Sequence, residues 1–260
     1  MNKQILYILS LMGLLSFAAC TNEENPLLSE ETGEIRFSVV DTTEVEITTK
    51  ASHSFNVDEF KVSLSRGNES IFSNKKYGDI AGSVITCSAS SDYMLTAESC
   101  TETEAESANQ GWGQARAAGK EEFAVAANES KTVPVNCGVA NSSVDVDFSD
   151  YITSMFSAYS IEIHATDATD RTFTFNENNF QFKTAYFNVN ESVRELTYTV
   201  TLPSPYKVYT RALEIAPSKS YKLSVKVEGE DSKDTAKLSI TVNGKLLKEE
   251  TLTHNINPYQ

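Results

Sequence analysis

The sequence contains few of the residues that usually build catalytic or metal centres. Among its 260 residues are three histidines, four cysteines and one tryptophan. It has no His-Glu-x-x-His, Cys-x-x-Cys or Gly-x-Ser-x-Gly segment, which are common patterns of zinc centres and serine hydrolases. The histidines, His53, His164 and His254, lie far apart in the sequence, and His164 falls on the polar face of a predicted strand. We therefore expect no enzymatic activity, no metal site and no cofactor.

Positive charge is also scarce. The chain has 22 Lys and Arg residues against 36 Asp and Glu residues, which gives a net charge of −14 at pH 7. Such a surface repels phosphate backbones and anionic headgroups, so we expect no nucleic-acid partner. Two acidic pairs, Asp145 with Asp147 and Asp167 with Asp170, carry oxygens of the kind that calcium accepts. Neither pair belongs to a spaced acidic loop with a glycine, so a solvated acidic surface is the simpler interpretation.

The apolar run near the N-terminus is too short to cross a membrane. It extends from Ile5 to Phe17, whereas a transmembrane helix needs about 20 apolar residues. Lys3 precedes the run and small residues follow it, which is the pattern of a signal peptide. We predict that residues 1–19 are a signal peptide that is removed from the mature protein.

The end of this run, Phe17-Ala18-Ala19-Cys20, resembles the lipobox of bacterial lipoproteins, in which the cysteine receives diacylglycerol. The resemblance implies that Cys20 is the lipidation site and that its lipid binds the chain to a membrane. Two or more acyl chains hold a protein stably on a bilayer, whereas one chain is marginal. The alternative is an ordinary secreted protein with a chance cysteine at its cleavage site.

After Cys20, residues 21–26 are polar and acidic and show no apolar periodicity, so we expect residues 20–32 to be a flexible tether. Glu23 and Glu24 follow the cysteine closely and resemble the acidic export signal of surface lipoproteins in anaerobic Gram-negative bacteria. This resemblance implies an outer-membrane protein that is exposed at the cell surface. The alternative is a soluble linker that faces the periplasm.

Over most of the chain after the tether, apolar and polar residues alternate, which predicts half-buried β-strands. In the first predicted strand, Gly33–Val40, the buried face consists of Ile35, Phe37 and Val39. Residues 101–110 are an exception, because they contain helix formers and a Thr-x-x-Glu capping-box pattern. We predict one short surface helix there.

The alternation pauses around residues 138–143 and then resumes until an Asn243-Gly244 pair, which is typical of a hairpin turn. Two sets of strands, each over about 100 residues, are enough for two hydrophobic cores. We therefore predict an all-β protein with two tandem antiparallel β-sandwich domains, residues 33–141 and 142–260. A single large sandwich is the alternative.

Several short segments together resemble a family of fimbrillin-like surface lipoproteins of unknown function from Gram-negative gut anaerobes. The segments are Asp92–Cys100, Gly111-Trp112-Gly113, Phe123–Val125, Val133–Asn141, Val144–Val146, Lys183–Asn188, Ala216-Pro217, Tyr221–Leu223 and Ile256–Tyr259. The resemblance extends over most of residues 33–259, and the family has no established biochemical activity.

The resemblance to fimbrillins implies two stacked, fimbrillin- or transthyretin-like domains and a structural or adhesive, pilus-like role. Pilus-like subunits or a host or dietary glycan are the implied partners. In fimbrillins a trypsin-like cut near the first strands frees a sheet edge for another subunit, and Lys50 occupies a comparable place. An exposed loop lysine is the alternative there. The alternative function is a glycan-binding surface lipoprotein of a carbohydrate uptake system.

Trp112 is the single tryptophan of the chain, and Gly111 and Gly113 flank it. Glycines on both sides permit a tight turn that presents the ring to solvent as a platform for a sugar. The alternative, which we favour, is that the ring folds back over the first core and plugs a gap there.

Three cysteines remain beside Cys20, and an oxidising cell envelope permits one disulfide among them. Cys100 and Cys137 each end a predicted strand, so we expect the disulfide between these two. The rival pairing is Cys87 with Cys137. Cys87 lies on the same strand face as Ile85, which predicts a buried and unreactive thiol.

Overall fold

The computed structural model describes residues 31–43, 55–190, 192–204, 206, 208–227 and 235–253. The predictions for residues 1–30, including the signal peptide, the lipidation of Cys20 and most of the tether, lie outside the described residues. The same holds for the predicted processing site at Lys50. In the described part of the chain, every helix is too short to span a bilayer.

The described chain is mainly β-structure, as the alternation predicts. Its strands are β1 (Thr32–Asp41), β2 (Lys61–Arg66), β3 (Glu69–Lys76), β4 (Ile85–Ser88), β5 (Ser90–Glu98), β6 (Ala117–Val125), β7 (Ser130–Val139), β8 (Asn141–Phe148), β9 (Ser160–Ala165), β10 (Ala168–Asn176), β11 (Ala185–Asn188), β12 (Glu195–Thr201), β13 (Tyr209–Glu214), β14 (Ser220–Val227), β15 (Thr235–Val242) and β16 (Lys245–Thr253). Its α-helices are α1 (Tyr77–Ile80), α2 (Glu102–Ser107) and α3 (Asp150–Met155).

Strands β1 to β7 of the first half, residues 31–140, form one sheet in the order β3-β2-β5-β6-β7-β1-β4. In the described chain, β6 and β7 pair at two positions, Ala117 with Val139 and Ala118 with Gly138. These two positions join strands β3, β2, β5 and β6 to strands β7, β1 and β4. Side chains from both groups of strands form one core, so the sheet folds over on itself as a sandwich. This first core consists of Ile35, Phe37, Val39, Phe60, Val62, Leu64, Cys87, Tyr93, Leu95, Ala97, Ala117, Val125, Val133, Val135 and Cys137.

Strands β8 to β16 of the second half, residues 141–253, form two sheets, in the orders β10-β9-β12-β13 and β11-β8-β14-β15-β16. Both sheets pack into a second core, and the Tyr198 hydroxyl of β12 donates to Glu250 Oε2 of β16 at 2.6 Å. Large buried side chains of this core include Tyr198, Phe175, Ile152, Ile161, Ile163, Leu196 and Leu223. Each contributes roughly 1.5–3 kcal/mol, so burial between the two sheets stabilises the sandwich.

Two strand pairs are parallel, although the sequence predicts antiparallel sheets. β1 runs parallel to β7, and β8 runs parallel to β14. Alternation identifies a strand and its buried face, but a parallel partner is joined through a long crossover. The pairing therefore depends on tertiary packing that the local pattern does not contain.

Helix α2 begins as the sequence predicts. Thr101 Oγ1 accepts a hydrogen bond from Glu104 N, and the Glu104 carboxylate accepts one from Thr101 N, which completes the capping box. The helix ends at Ser107, earlier than predicted, because Ala108 is extended, with φ of −62° and ψ of 160°, and the next two residues, Asn109 and Gln110, have positive φ angles.

The two cores lie on either side of Asn141 in the sequence. The Asn141 side chain fixes the start of β8, because its Oδ1 accepts from Arg116 N at 3.1 Å and its Nδ2 donates to Gln114 O at 2.7 Å. The division into domains 33–141 and 142–260 stays a prediction, and the two separate cores support it.

Candidate functional site

A loop of left-handed backbone follows α2. In residues 108–113, which we call the glycine loop, the non-glycine residues Asn109 and Gln110 have φ angles of 51° and 63°. Such angles cost free energy in residues other than glycine and concentrate at functional sites. Gly113, with φ of 84°, is required here, because a Cβ atom at this position would lie 2.9 Å from Tyr186 Cβ. The loop is thus built to approach β11 closely.

Trp112 plugs the second core and not the first, which corrects the expectation from its sequence position. Its ring centroid lies 5.0 Å from that of Phe175 and 5.3 Å from that of Phe173. Lys183 Nζ lies 5.3 Å from the indole centroid, and Tyr186 N donates to Trp112 O at 2.9 Å. The reason is that the glycine loop turns toward β10 and β11, the edge strands of the second sandwich, where aromatic side chains contact the ring.

Arg171 of β10 holds the glycine loop against the second half. Its Nη2 donates to three backbone carbonyl oxygens, at 3.1 Å to Gly111, 3.2 Å to Tyr186 and 3.4 Å to Glu106. Its Nη1 lies 3.0 Å from Glu106 Oε1, and its guanidinium carbon lies 5.0 Å from the ring centroid of Phe173. A planar guanidinium suits such a set of fixed acceptors. The charge and donors of Arg171 are therefore used within the protein.

An open cleft of about 480 Å³, which we call the junction cleft, lies beside α2, the glycine loop and β10. Its lining comes from both halves of the chain and consists of Thr103, Glu106, Ser107, Gln110, Gly111, Trp112, Asp170, Arg171, Thr172 and Phe173. A cleft of this size accommodates a small ligand. The lining combines the half-buried indole of Trp112 with hydroxyl, amide and carboxylate groups, whereas Phe173 is only 4% exposed. It therefore suits a ligand that has both an apolar face and polar substituents.

An ion pair fixes α2 to the first half as well. Lys61 Nζ of β2 lies 2.7 Å from Glu104 Oε1. The hydrogen bond from Lys61, followed by those from Thr101, lowers the pKa of Glu104 to about 2. Glu104 thus ties α2 to the first half, while Glu106 ties it to Arg171 of the second half. Helix α2 is therefore the element that joins the two halves beside the junction cleft.

The structure does not contain the predicted disulfide between Cys100 and Cys137, nor its rival. Both residues and Cys87 are buried free thiols. The Cys137 thiol donates to Ala97 O at 3.7 Å in the first core, whereas Cys100 Sγ accepts from Gln114 Nε2 at 3.5 Å. The two sulfur atoms therefore have different surroundings, although both residues lie at strand ends. Burial raises the pKa of the Cys87 thiol and raises that of Cys137 to about 12.

The predicted first strand, Gly33–Val40, is present as β1 (Thr32–Asp41). Its side chains Ile35, Phe37 and Val39 point into the first core and are 0%, 3% and 8% exposed. Residues Glu34–Asp41 of β1 pair with β7, and residues Thr32–Ile35 pair with the edge strand β4. Beyond those four residues, β7 is the ladder partner of β1 in the described chain.

Of the two acidic pairs considered as calcium ligands, Asp145 and Asp147 interact with other side chains. Asp145 is buried and accepts a hydrogen bond from Thr184 Oγ1 at 2.5 Å, and Asp147 Oδ2 lies 3.1 Å from Lys222 Nζ. Among the described residues, no group of three or more His, Cys, Asp or Glu side chains is placed to hold a metal ion. Asp170 lines the junction cleft.

Among the residues that line the junction cleft, the sequence singles out Trp112, as the alternative sugar platform, and Asp170, as the alternative calcium ligand, but not Arg171. The glycines beside Trp112 indicate an unusual turn, which is the signal that draws attention to this region. Arg171 gives no comparable signal, because most of its partners are backbone carbonyl oxygens. Backbone partners are set by the fold and not by neighbouring residue types.

The fold and the cleft define an all-β protein of two packed halves, with an open cleft at their junction. The chain belongs to a family described as a domain of unknown function (DUF4493), which matches residues 31–258. No curated protein is similar enough to the chain to count as a match.

Among solved structures, the chain is similar to a candidate polysaccharide-binding protein of Bacteroides thetaiotaomicron, with 11% identity, a TM-score of 0.41 and coverage of 88% of this chain and 99% of the other. It is also similar to a candidate adhesin of Bacteroides ovatus, with 10% identity, a TM-score of 0.44 and coverage of 83% of this chain and 94% of the other. A candidate cell adhesion protein of Bacteroides eggerthii is similar as well, with 10% identity, a TM-score of 0.40 and coverage of 86% of this chain and 96% of the other.

Proposed function

We propose that this protein is a lipid-anchored protein of the outer-membrane surface with a structural or adhesive, pilus-like role and no enzymatic activity. A lipid on Cys20 holds the chain to the membrane, and residues 20–32 separate the folded part from the bilayer. The lipobox-like sequence and the acids that follow it support this anchoring. In assembly, β1 is the strand that leaves its sheet and is replaced by a strand from another chain.

The single observation that carries the proposal is the place of β1 in its sheet. Ile35, Phe37 and Val39 together contribute roughly 5–9 kcal/mol of hydrophobic stabilisation to the first core. For most of its length, β1 pairs in the described chain with β7. Removal of β1 leaves an apolar groove beside unpaired backbone groups of β7, and such an edge templates a strand from another chain.

Gly33 restricts which strand can occupy this groove. A Cβ atom on Gly33 would lie 2.5 Å from Val125 Cγ1 and 2.6 Å from Ala126 O. An incoming strand therefore needs a glycine at this position, with apolar residues two, four and six positions later. The β1 segment of a second copy meets this requirement in a single register.

The proposal is tested by limited trypsin digestion of the purified full chain, followed by light scattering to measure its mass. A cut at Lys50 separates the chain that forms β1 from the rest of the protein, so we expect monomers to convert to higher oligomers. Lys50→Ala should remain monomeric under the same digestion, whereas Lys75→Ala should behave like the unmodified protein. A protein that is cut but stays monomeric and keeps its melting temperature contradicts the proposal.

A second candidate function is glycan binding, as part of a carbohydrate uptake system. The junction cleft favours it, because the half-buried indole of Trp112 lies beside polar side chains in a groove. It ranks second because the indole of Trp112 is partly covered by Phe175 and Lys183, so the ring is not an open platform.

A further inference from the structure

We infer that the junction cleft binds an uncharged saccharide that bridges the two halves of the chain. This inference rests on the second candidate function, glycan binding, and gives it a site and a ligand class. It is independent of the assembly role of β1, because β1 contributes no residue to the cleft lining.

The aromatic part of the junction cleft suits the apolar face of a sugar ring. Trp112 is half-buried and lines the cleft, whereas Phe173 beside it is only 4% exposed, so the indole is the aromatic group that a ligand can contact. The C–H faces of a pyranose are apolar and pack against aromatic rings, which offer a large and rigid contact area. Because Trp112 is held by Phe175 and by its own backbone hydrogen bond, little conformational entropy is lost when a ligand packs against it.

The polar part of the cleft suits the hydroxyl groups of a sugar. Thr103 and Ser107 of α2, Gln110 of the glycine loop and Thr172 of β10 are exposed around the cleft. The Ser107 and Thr172 hydroxyls donate to Glu104 O and Thr169 O, so their oxygens serve as acceptors for a ligand. The hydroxyl of Thr103 and the amide of Gln110 belong to groups that both donate and accept hydrogen bonds, as sugar hydroxyls do.

The charges of the lining favour an uncharged ligand over an acidic one. Glu106 and Arg171 form an ion pair at 3.0 Å, and Arg171 also donates to backbone carbonyl oxygens. These two charges offset each other, which leaves the carboxylate of Asp170 as the net charge of the lining. A carboxylated sugar is repelled by this charge, whereas an uncharged sugar is not.

Because α2 belongs to the first half and β10 to the second, a ligand in the cleft contacts both. A ligand that binds this arrangement and not the unfolded chain stabilises it. We therefore expect a saccharide that binds here to raise the melting temperature and to slow hydrogen exchange in the glycine loop.

The test measures saccharide binding to the purified full chain in detergent micelles by saturation-transfer NMR and calorimetry. The probes are lactose, maltose, cellobiose and diacetylchitobiose. Each is compared with a carboxylated counterpart, which for lactose is sialyllactose. At least one uncharged probe should bind, and its acidic counterpart should bind at least about tenfold more weakly. Asp170→Asn should reduce that difference.

Two matched variants locate the site. Ser107→Trp fills the cleft from the exposed side of α2 and should weaken binding at least about tenfold. Ser154→Trp makes the same change on the exposed side of α3, outside the cleft lining, and should bind like the unmodified protein. Binding that persists in Ser107→Trp overturns the cleft assignment but leaves glycan binding intact. If none of the uncharged probes binds, both the inference and the second candidate function fail, while the assembly role of β1 is unaffected.

Discussion

The indole of Trp112 meets the ring of Phe175 edge to face, with centroids 5.0 Å apart and an interplanar angle of 80°. Trp112 follows α2 of the first half, whereas Phe175 belongs to β10 and to the core of the second half. Aromatic pairs of this geometry contribute about 0.5–1.5 kcal/mol beyond their buried area. The contact therefore couples the packing of one half to the core of the other.

Replacement of Trp112 by alanine should lower the free energy of unfolding by about 2–4 kcal/mol, because a half-buried aromatic ring is removed from the second core. The measurement is urea unfolding followed by circular dichroism. Phe182→Ala is the control, because Phe182 is 80% exposed and its loss should change stability by less than about 0.5 kcal/mol. Equally small effects in the two variants would show that Trp112 does not support the core.

Replacement of Arg171 by lysine should loosen the glycine loop. Lysine keeps the positive charge but has one nitrogen, whereas Arg171 contacts the Glu106 carboxylate through Nη1 and three carbonyl oxygens through Nη2. We expect a loss of about 1–3 kcal/mol and faster hydrogen exchange of the loop amides. Arg194→Lys is the matched control, because Arg194 is a cation of the second half outside the cleft lining. Unchanged exchange in Arg171→Lys would mean that the loop is held by other contacts.

The ion pair between Lys61 and Glu104 predicts acid sensitivity of α2. The hydrogen bond from Lys61, and then those from Thr101, lower the pKa of Glu104 from its ordinary value of 4.5 to about 2. A carboxyl group with a lowered pKa stabilises the folded state above its unfolded pKa, and this stabilisation is lost as the pH falls from about 4.5 to about 2.

The fluorescence of Trp112, the single tryptophan, should report this loosening of α2 in the same pH window. Glu104→Gln should lack the stabilisation already at neutral pH and should show a flatter response as the pH falls. Glu69→Gln is the control, since Glu69 pairs with Arg66 away from α2. An identical pH response in Glu104→Gln and the unmodified protein would assign the acid sensitivity to other carboxyl groups.

The lipid anchor predicts that Cys20→Ser abolishes membrane attachment. Without the thiol there is no thioether to diacylglycerol, so the protein should move from the detergent phase to the aqueous phase in Triton X-114 partitioning. Metabolic labelling with a palmitate analogue should mark the unmodified protein and not the variant. A Cys20→Ser protein that still partitions with detergent would rule out the lipoprotein assignment.

Much of the strand content follows from the sequence, and the exceptions have physical causes. β1 occurs where alternation places it, because its buried face imposes a period of two. β3 (Glu69–Lys76) leaves no such pattern, since its residues are almost all exposed and it joins the sheet through its backbone. A strand with no buried face is invisible to a method that relies on apolar spacing.

The candidate site is only partly accessible to sequence reasoning. The glycines around Trp112 indicate a turn, but the core that the ring enters depends on how the two halves pack. Similarly, Cys100 and Cys137 both lie at strand ends, yet their sulfur atoms contact different groups. Proximity in these cases is a property of tertiary structure, which one sequence without its fold does not contain.

The most direct test of the proposed assembly role is a reversible cross-link that holds β1 in its sheet. Arg36 of β1 and Thr132 of β7 are exposed register partners on adjacent parallel strands, so cysteines at these positions are close enough for a disulfide. After trypsin digestion, the Arg36→Cys/Thr132→Cys protein should remain monomeric in light scattering while oxidised and should form oligomers once reduced. The same mass in both redox states, whether monomeric or oligomeric, would contradict the account.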